Sequence, residues 1–185
     1  MLPPLRQAAT PTGTIEYRES GRRDAPGLVL LHGLGSSAAS FRAQYGPLGE
    51  RFRVVAWNAP GYCGSTPLES DEPSSTGYTD ALRSLLDTLE IDQTYLVGSS
   101  WGSLIATAFA SHYPARARAL VLSAPNTGAG NLSPTEQRKQ YFELTVPLHL
   151  FGPVEMAMFP GCGHLLELEA PERFNAAVLD FFAQY

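Results

Sequence analysis

Ser100 stands in the run Gly98-Ser99-Ser100-Trp101-Gly102, and Gly-x-Ser-x-Gly is the spacing a nucleophilic serine needs when it sits on a sharp strand-to-helix turn. The flanking glycines let backbone segments approach closely while the central side chain projects above the sheet. Ser100, not Ser99 or Ser103, is therefore the expected nucleophile. A serine hydroxyl is weakly nucleophilic at neutral pH and needs a base to take its proton as it attacks a carbonyl. Among the histidines, His164 fits that role best, because it follows Gly161-Cys162-Gly163 and precedes Leu165-Leu166 on a loop leading into the last helical pattern. His32 opens a glycine loop and is expected to brace it by hydrogen bonding, His112 reads as a polar residue at a helix end, and His149 belongs to no motif. The tetrahedral oxyanion requires preorganised N–H donors, each worth about 3 kcal/mol of barrier. The amides of Trp101, at a helix start, and of Leu34, in His32-Gly33-Leu34-Gly35, are expected to supply them. Gly33 and the Trp101 indole are expected to line the substrate site, with plain core packing as the alternative for the indole.

These residues must be carried by strands that end at one edge of a sheet. Leu28-Val29-Leu30-Leu31, Arg53-Val54-Val55-Ala56-Trp57 and Thr94-Tyr95-Leu96-Val97 are short apolar runs, each ending in a glycine-rich loop, and Ala119-Leu120-Val121-Leu122 is a fourth. Ala81, Leu82, Leu85, Leu86 and Leu89 recur at helical spacing and predict an amphipathic helix over 78–90. Small and apolar residues predict a helix over 101–112, closed by Pro114. Pro171 opens a last helix with Phe174, Val178, Phe181 and Phe182 on its apolar face. Residues 6–9 and 14–18 alternate as an antiparallel hairpin, and 67–75 is a polar loop. The alternation predicts an α/β fold, a mostly parallel doubly wound sheet with helices on both faces, whose ligands bind at the carboxyl ends of the strands.

Size and charge narrow the function. With 185 residues, 44% of them hydrophobic, the chain is expected to form a single domain over 1–185. A net charge of -5 counts against nucleic acid and anionic membrane surfaces as partners and points to a small molecule. Cys63 and Cys162 show no ligand spacing, so neither a disulfide scaffold nor a zinc site is expected, and both read as small packing residues. No metal or organic cofactor is implied. No leader-like or membrane-spanning apolar run is apparent, which predicts a cytoplasmic protein.

Taken in order, His32-Gly33-Leu34-Gly35-Ser36, Asn58-Ala59-Pro60-Gly61-Tyr62-Cys63-Gly64-Ser65, Gly98-Ser99-Ser100-Trp101-Gly102 and Gly161-Cys162-Gly163-His164 resemble the loops of the α/β-hydrolase superfamily. The resemblance covers roughly residues 14–126 and 159–185, and the Ser-Ser-Trp-Gly-Ser elbow is similar to that of the proline iminopeptidase branch. It implies hydrolysis of an ester, amide or lactone through an acyl-enzyme, of carboxylesterase or aminopeptidase type.

The family also implies an acid and a helical lid between residues 126 and 159, and the chain there is short. Ser133-Pro134-Thr135-Glu136 starts a helix that Pro147 ends. The run 146–152 reads either as the acid-bearing strand, with Glu155 as the acid, or as the beginning of a reduced lid over 127–158. The few residues left for a parallel crossover favour the second reading. Glu155 is then an acid only by another route, and Asn126 is an uncharged candidate for orienting the histidine. Two functions follow: a serine hydrolase acting on a small carbonyl substrate, or a catalytically silent scaffold or ligand-binding protein lacking a complete triad. The apolar face left by a reduced lid predicts self-association.

Overall fold

The computed structural model describes residues 1–69, 74–124, 157 and 159–185. The first two strands, β1 (Leu5–Thr10) and β2 (Gly13–Ser20), pair antiparallel, with Leu5 opposite Arg18 and Thr10 opposite Gly13. Then come β3 (Gly27–Leu31), a 3-10 turn at Ala38–Phe41, α1 (Tyr45–Gly49) and β4 (Arg53–Trp57). The helix α2 (Ser75–Thr88) leads to β5 (Thr94–Ser99), α3 (Trp101–His112) and β6 (Ala117–Ser123). After residue 159 lie the short α4 (Leu166–Glu169) and α5 (Pro171–Phe182).

Six strands form one sheet in the order β1-β2-β4-β3-β5-β6, with β4, β3, β5 and β6 mutually parallel. The order follows from burial. Every residue of β3 and β4 is buried, and their side chains alternate between two apolar clusters on opposite faces. Val29, Leu31, Val55 and Trp57 face Leu82, Leu85 and Leu86 of α2 and Ile105 and Phe109 of α3. Leu28, Leu30, Val54 and Ala56 face Phe41, Tyr45 and Leu48, together with Phe174, Val178 and Phe182 of α5. A strand covered by helices on both sides has no polar face, which is why these runs read as continuously apolar.

The chain passes from β3 to β4 on one side and later returns to place β5 on the other side of β3. The carboxyl ends of β3 and β5, where the strand order reverses, are the usual ligand position in a doubly wound sheet. Leu31 pairs with Gly98 and Ser99 with Ser123, so the loops beginning at His32, Ser100 and Ala124 emerge side by side.

Two boundaries moved from the sequence expectation. Helix α2 starts at Ser75 because the Ser74 hydroxyl caps it, accepting from the Gly77 amide at 3.2 Å. It ends two residues early because Glu90 takes a left-handed φ of 56° just past the cap. The expected lid remnant over 127–158, apart from residue 157, lies outside the described residues, as do the helix starting at Ser133, Asn126, His149 and Glu155.

Candidate active site

The turn at the end of β5 is built from close backbone approaches. A Cβ on Gly98 would lie 2.5 Å from the Gly102 carbonyl oxygen, and one on Gly102 would lie 2.1 Å from that of Leu31. Only hydrogen fits at either place. Between them Ser100 adopts φ 52° and ψ -116°, a conformation that costs a non-glycine residue about 1–3 kcal/mol. The surroundings hold it there. Its amide donates to the Ser123 carbonyl of β6 at 2.9 Å. Ser103, buried in the first turn of α3, donates its hydroxyl to the carbonyls of Gly98 at 2.8 Å and Ser123 at 3.2 Å. Ser103 thus clamps the turn to the neighbouring strand, a role its position in the motif did not reveal.

His164 meets Ser100: its Nε2 is 2.7 Å from Ser100 Oγ, across 64 residues of sequence. The loop that presents it is held by Glu169, whose two oxygens accept from the amides flanking the histidine, Gly163 at 2.5 Å and Leu165 at 3.0 Å. Those two bonds hold the Glu169 carboxyl below the usual carboxylate range. Among the described residues no carboxylate bonds to His164 Nδ1.

The first loop is fixed from below. His32 is fully buried, and its Nε2 accepts from the Ala59 amide at 3.1 Å, so the proton sits on Nδ1 and is donated to the Gly33 carbonyl at 2.8 Å. Burial pushes its pKa down and keeps the ring neutral. This is the bracing role expected for it, tying the loop after β3 to the loop after β4. The second loop is anchored in turn by buried Glu16, which accepts from the Gly64 amide at 2.9 Å and from Asn58 Nδ2 at 3.2 Å. The Gly64 amide is the main cause holding that carboxyl below its ordinary range.

Gly33 comes close to Ser100, and a Cβ there would lie 3.2 Å from Ser100 Cβ. The next amides belong to a turn closed by Ser36 N–H donating to the Gly33 carbonyl at 3.2 Å, with Gly35 at φ 70°. Leu34 is therefore on the rim, with its side chain 74% exposed. Trp101 is the first residue of α3, where amides lack an intrahelical acceptor and face the strand end. Its indole is half-buried, packed edge-on against Tyr78 at 4.9 Å and against Tyr62 at 5.7 Å, at the border of the α2–α3 core. These contacts are the core packing expected as the alternative for the indole. His112, at the end of α3, shares a 3.0 Å bond with Thr79 of α2, a structural contact.

One expectation fails. Cys63 is not a packing residue: it is exposed, at φ 50°, in a loop whose interior is filled by Glu16 and Ser65. Cys162 is half-buried, and both thiols are free. No group of three or more His, Cys, Asp or Glu among the described residues is arranged to hold a metal ion, and no described helix is long and apolar enough to cross a membrane.

The alpha/beta hydrolase fold family matches residues 26–150, which takes in the loops after β3, β4 and β5. The chain belongs to the α/β-hydrolase fold family. Among relatives of this hydrolase-fold chain, 2-hydroxy-6-oxo-6-phenylhexa-2,4-dienoate hydrolase of Comamonas testosteroni is 32% identical over 125 residues, covering 65% of this chain and 43% of that protein. A predicted CIB-like hydrolase from Thermoplasma acidophilum superposes with a TM-score of 0.83 over 98% of both chains at 16% identity, a likeness of fold alone. The N-acyl homoserine lactonase AidH is 30% identical with a TM-score of 0.60, covering 67% of this chain and 46% of that one. The chain spans 37–47% of the length of the curated relatives it matches.

Proposed function

We propose that the protein is a serine hydrolase that opens a small ester, amide or lactone through an acyl-enzyme. The observation that carries this reading is the 2.7 Å contact of His164 Nε2 with Ser100 Oγ at a turn whose strained backbone aims the hydroxyl out of the sheet. Neutral His164 accepts the hydroxyl proton while Oγ bonds to the carbonyl carbon, and the imidazolium then gives that proton to the leaving oxygen or nitrogen as its bond to carbon breaks. Water repeats the sequence and releases the acid. The developing oxyanion is taken by the Trp101 and Leu34 amides, the first reinforced by the amino terminus of α3. Two of the similar proteins are named for carbonyl compounds, an oxo acid and a lactone, which agrees with attack at a carbonyl. Leu34 and Leu165, exposed in the loops that carry the proposed oxyanion donor and base, are side chains suited to a small acyl group.

A fluorophosphonate probe followed by intact-mass measurement tests the proposal. One adduct is expected on the wild type and none on Ser100→Ala. The alternative, a silent scaffold, is favoured by the lack of a carboxylate on His164 Nδ1 among the described residues, and it predicts no adduct on folded wild-type protein. Glu155 enters as a candidate acid through Glu155→Gln, which is expected to slow labelling if that carboxylate orients His164; an undiminished rate removes it.

A further inference from the structure

Glu167 lies three residues past His164, in the first turn of α4, and is 1% exposed. Its Oε1 accepts from the hydroxyl of Ser99, itself fully buried and adjacent to the nucleophile, at 2.9 Å. Its Oε2 is buried without a hydrogen-bond partner among the described residues. The backbone around it is fixed as well. Gln44 Nε2 donates to the Glu167 carbonyl at 3.0 Å and to Asn175 Oδ1 of α5 at 3.1 Å, and Asn175 Nδ2 donates to the Ala43 carbonyl at 3.0 Å.

A carboxyl in this place is expensive. Burying a charge costs several kcal/mol unless it is fully paired, and an apolar side chain would fill the volume without that penalty. Ser99, Gln44 and Asn175, packed around it from β5, the segment before α1, and α5, are all uncharged. The charges that act on it are His164, which favours its ionised form, and Glu169, which opposes it. Glu169 is an exposed carboxylate with both oxygens committed to amides, so solvent screens its effect on the imidazole. Glu167 keeps one oxygen unbonded in a low-dielectric setting, where charge acts over a longer range.

On the serine-hydrolase reading above, we propose that Glu167 is a positioning residue for His164: anchored on Ser99 beside the nucleophile, its buried carboxylate stabilises the imidazolium formed when Ser100 attacks. The anchor also ties the two catalytic segments together, because Ser99 precedes Ser100 and Glu167 shares the turn that follows His164. Burial pushes the Glu167 carboxyl up, so the stabilising charge is lost as pH falls at a higher pH than for an ordinary glutamate.

The test uses the pH dependence of fluorophosphonate labelling, with Glu167→Gln against wild type. Glutamine keeps an acceptor for Ser99 and replaces the charged carboxylate with a neutral amide of the same shape. The variant is expected to fold, since a carboxyl whose pKa is raised on folding contributes stability below its unfolded value and loses it as pH rises through the folded value. Labelling at Ser100 in the wild type establishes the underlying reading by itself. Given that, Glu167→Gln is expected to lower the plateau rate about tenfold and to move the acid limb to lower pH by about half a pH unit, with the thermal midpoint unchanged or raised. A profile superimposable on wild type overturns the proposal. As a check that needs no variant, the His164 ring resonances followed by NMR through acid pH are expected to show a second inflection above the ordinary glutamate range. A single inflection overturns it equally, while failure of wild-type labelling would strike the hydrolase reading instead.

Discussion

Gly33→Ala separates chemistry from folding at this site. The added methyl would sit 3.2 Å from Ser100 Cβ, 3.5 Å from the Ser99 carbonyl oxygen and 3.8 Å from Ser100 Oγ. A carbon pair at 3.2 Å is a few tenths of an ångström inside ordinary contact, so the serine must yield. Gly33 does not occupy the left-handed region, and alanine there restricts the unfolded chain, a gain of about 0.4–1 kcal/mol that offsets much of the crowding. The fold should therefore lose no more than about 1 kcal/mol. Attack is more demanding. On the serine-hydrolase reading, displacement of the reacting atom by 1 Å costs about a hundredfold, and the methyl lies 3.8 Å from Oγ. We expect kcat/KM for a short p-nitrophenyl ester and the rate of fluorophosphonate labelling to fall by about one to two orders of magnitude. The thermal midpoint should stay within about 4 °C of wild type. Wild-type labelling and turnover in Gly33→Ala would refute the close approach of the first loop to a reacting Ser100.

Gly102→Ala puts a Cβ 2.1 Å from a backbone oxygen that cannot move aside, and is expected to cost about 3 kcal/mol or more, seen as a fall in thermal midpoint of about 6–12 °C. Ser103→Ala removes the bonds to the Gly98 and Ser123 carbonyls and should destabilise by about 1–3 kcal/mol in urea, with slower labelling because the Ser100 turn loosens. His32 is neutral when folded and has a depressed pKa, so its contribution to stability is present above its unfolded value of about 6.5 and is lost as pH falls through the folded value. Denaturation midpoints should decline below about pH 6.5, and His32→Gln should flatten that decline. Glu169→Ala frees the amides on both sides of His164 and is expected to lower kcat more than it raises KM; equal loss in both would place Glu169 outside the histidine loop's support.

Local pattern was enough for the parallel strands and the longer helices, but not for the short α1 and α4. Leu28 to Leu31 and Arg53 to Trp57 could only be strands covered on both faces, and β4 and α3 appear with the bounds the sequence implies. The elbow was equally legible, because Gly98 and Gly102 are demanded by contacts within a few residues and with the adjoining strand. Glu167 and Glu169 were not legible as separate roles. They stand two residues apart on one short helix, yet one is buried against Ser99 and the other accepts two loop amides from solvent. Ser99 and Ser103 likewise look interchangeable with Ser100 in composition, and differ only in what each hydroxyl meets. Cys63 is the converse case: a small residue in a glycine loop suggests packing, but Glu16 and Ser65 already fill that space.

The sequence by itself determined the parallel strands, the longer helices and the glycine-flanked turn at Ser100, since periodicity and glycine spacing are local consequences of backbone geometry. Only the tertiary structure decided that His164 reaches Ser100 at 2.7 Å, that His32 is a buried neutral brace, and that Glu167 bonds to Ser99 at the end of β5. Those facts depend on burial and on contacts between residues distant in sequence. A side chain's chemistry there is set by the neighbours that folding brings to it.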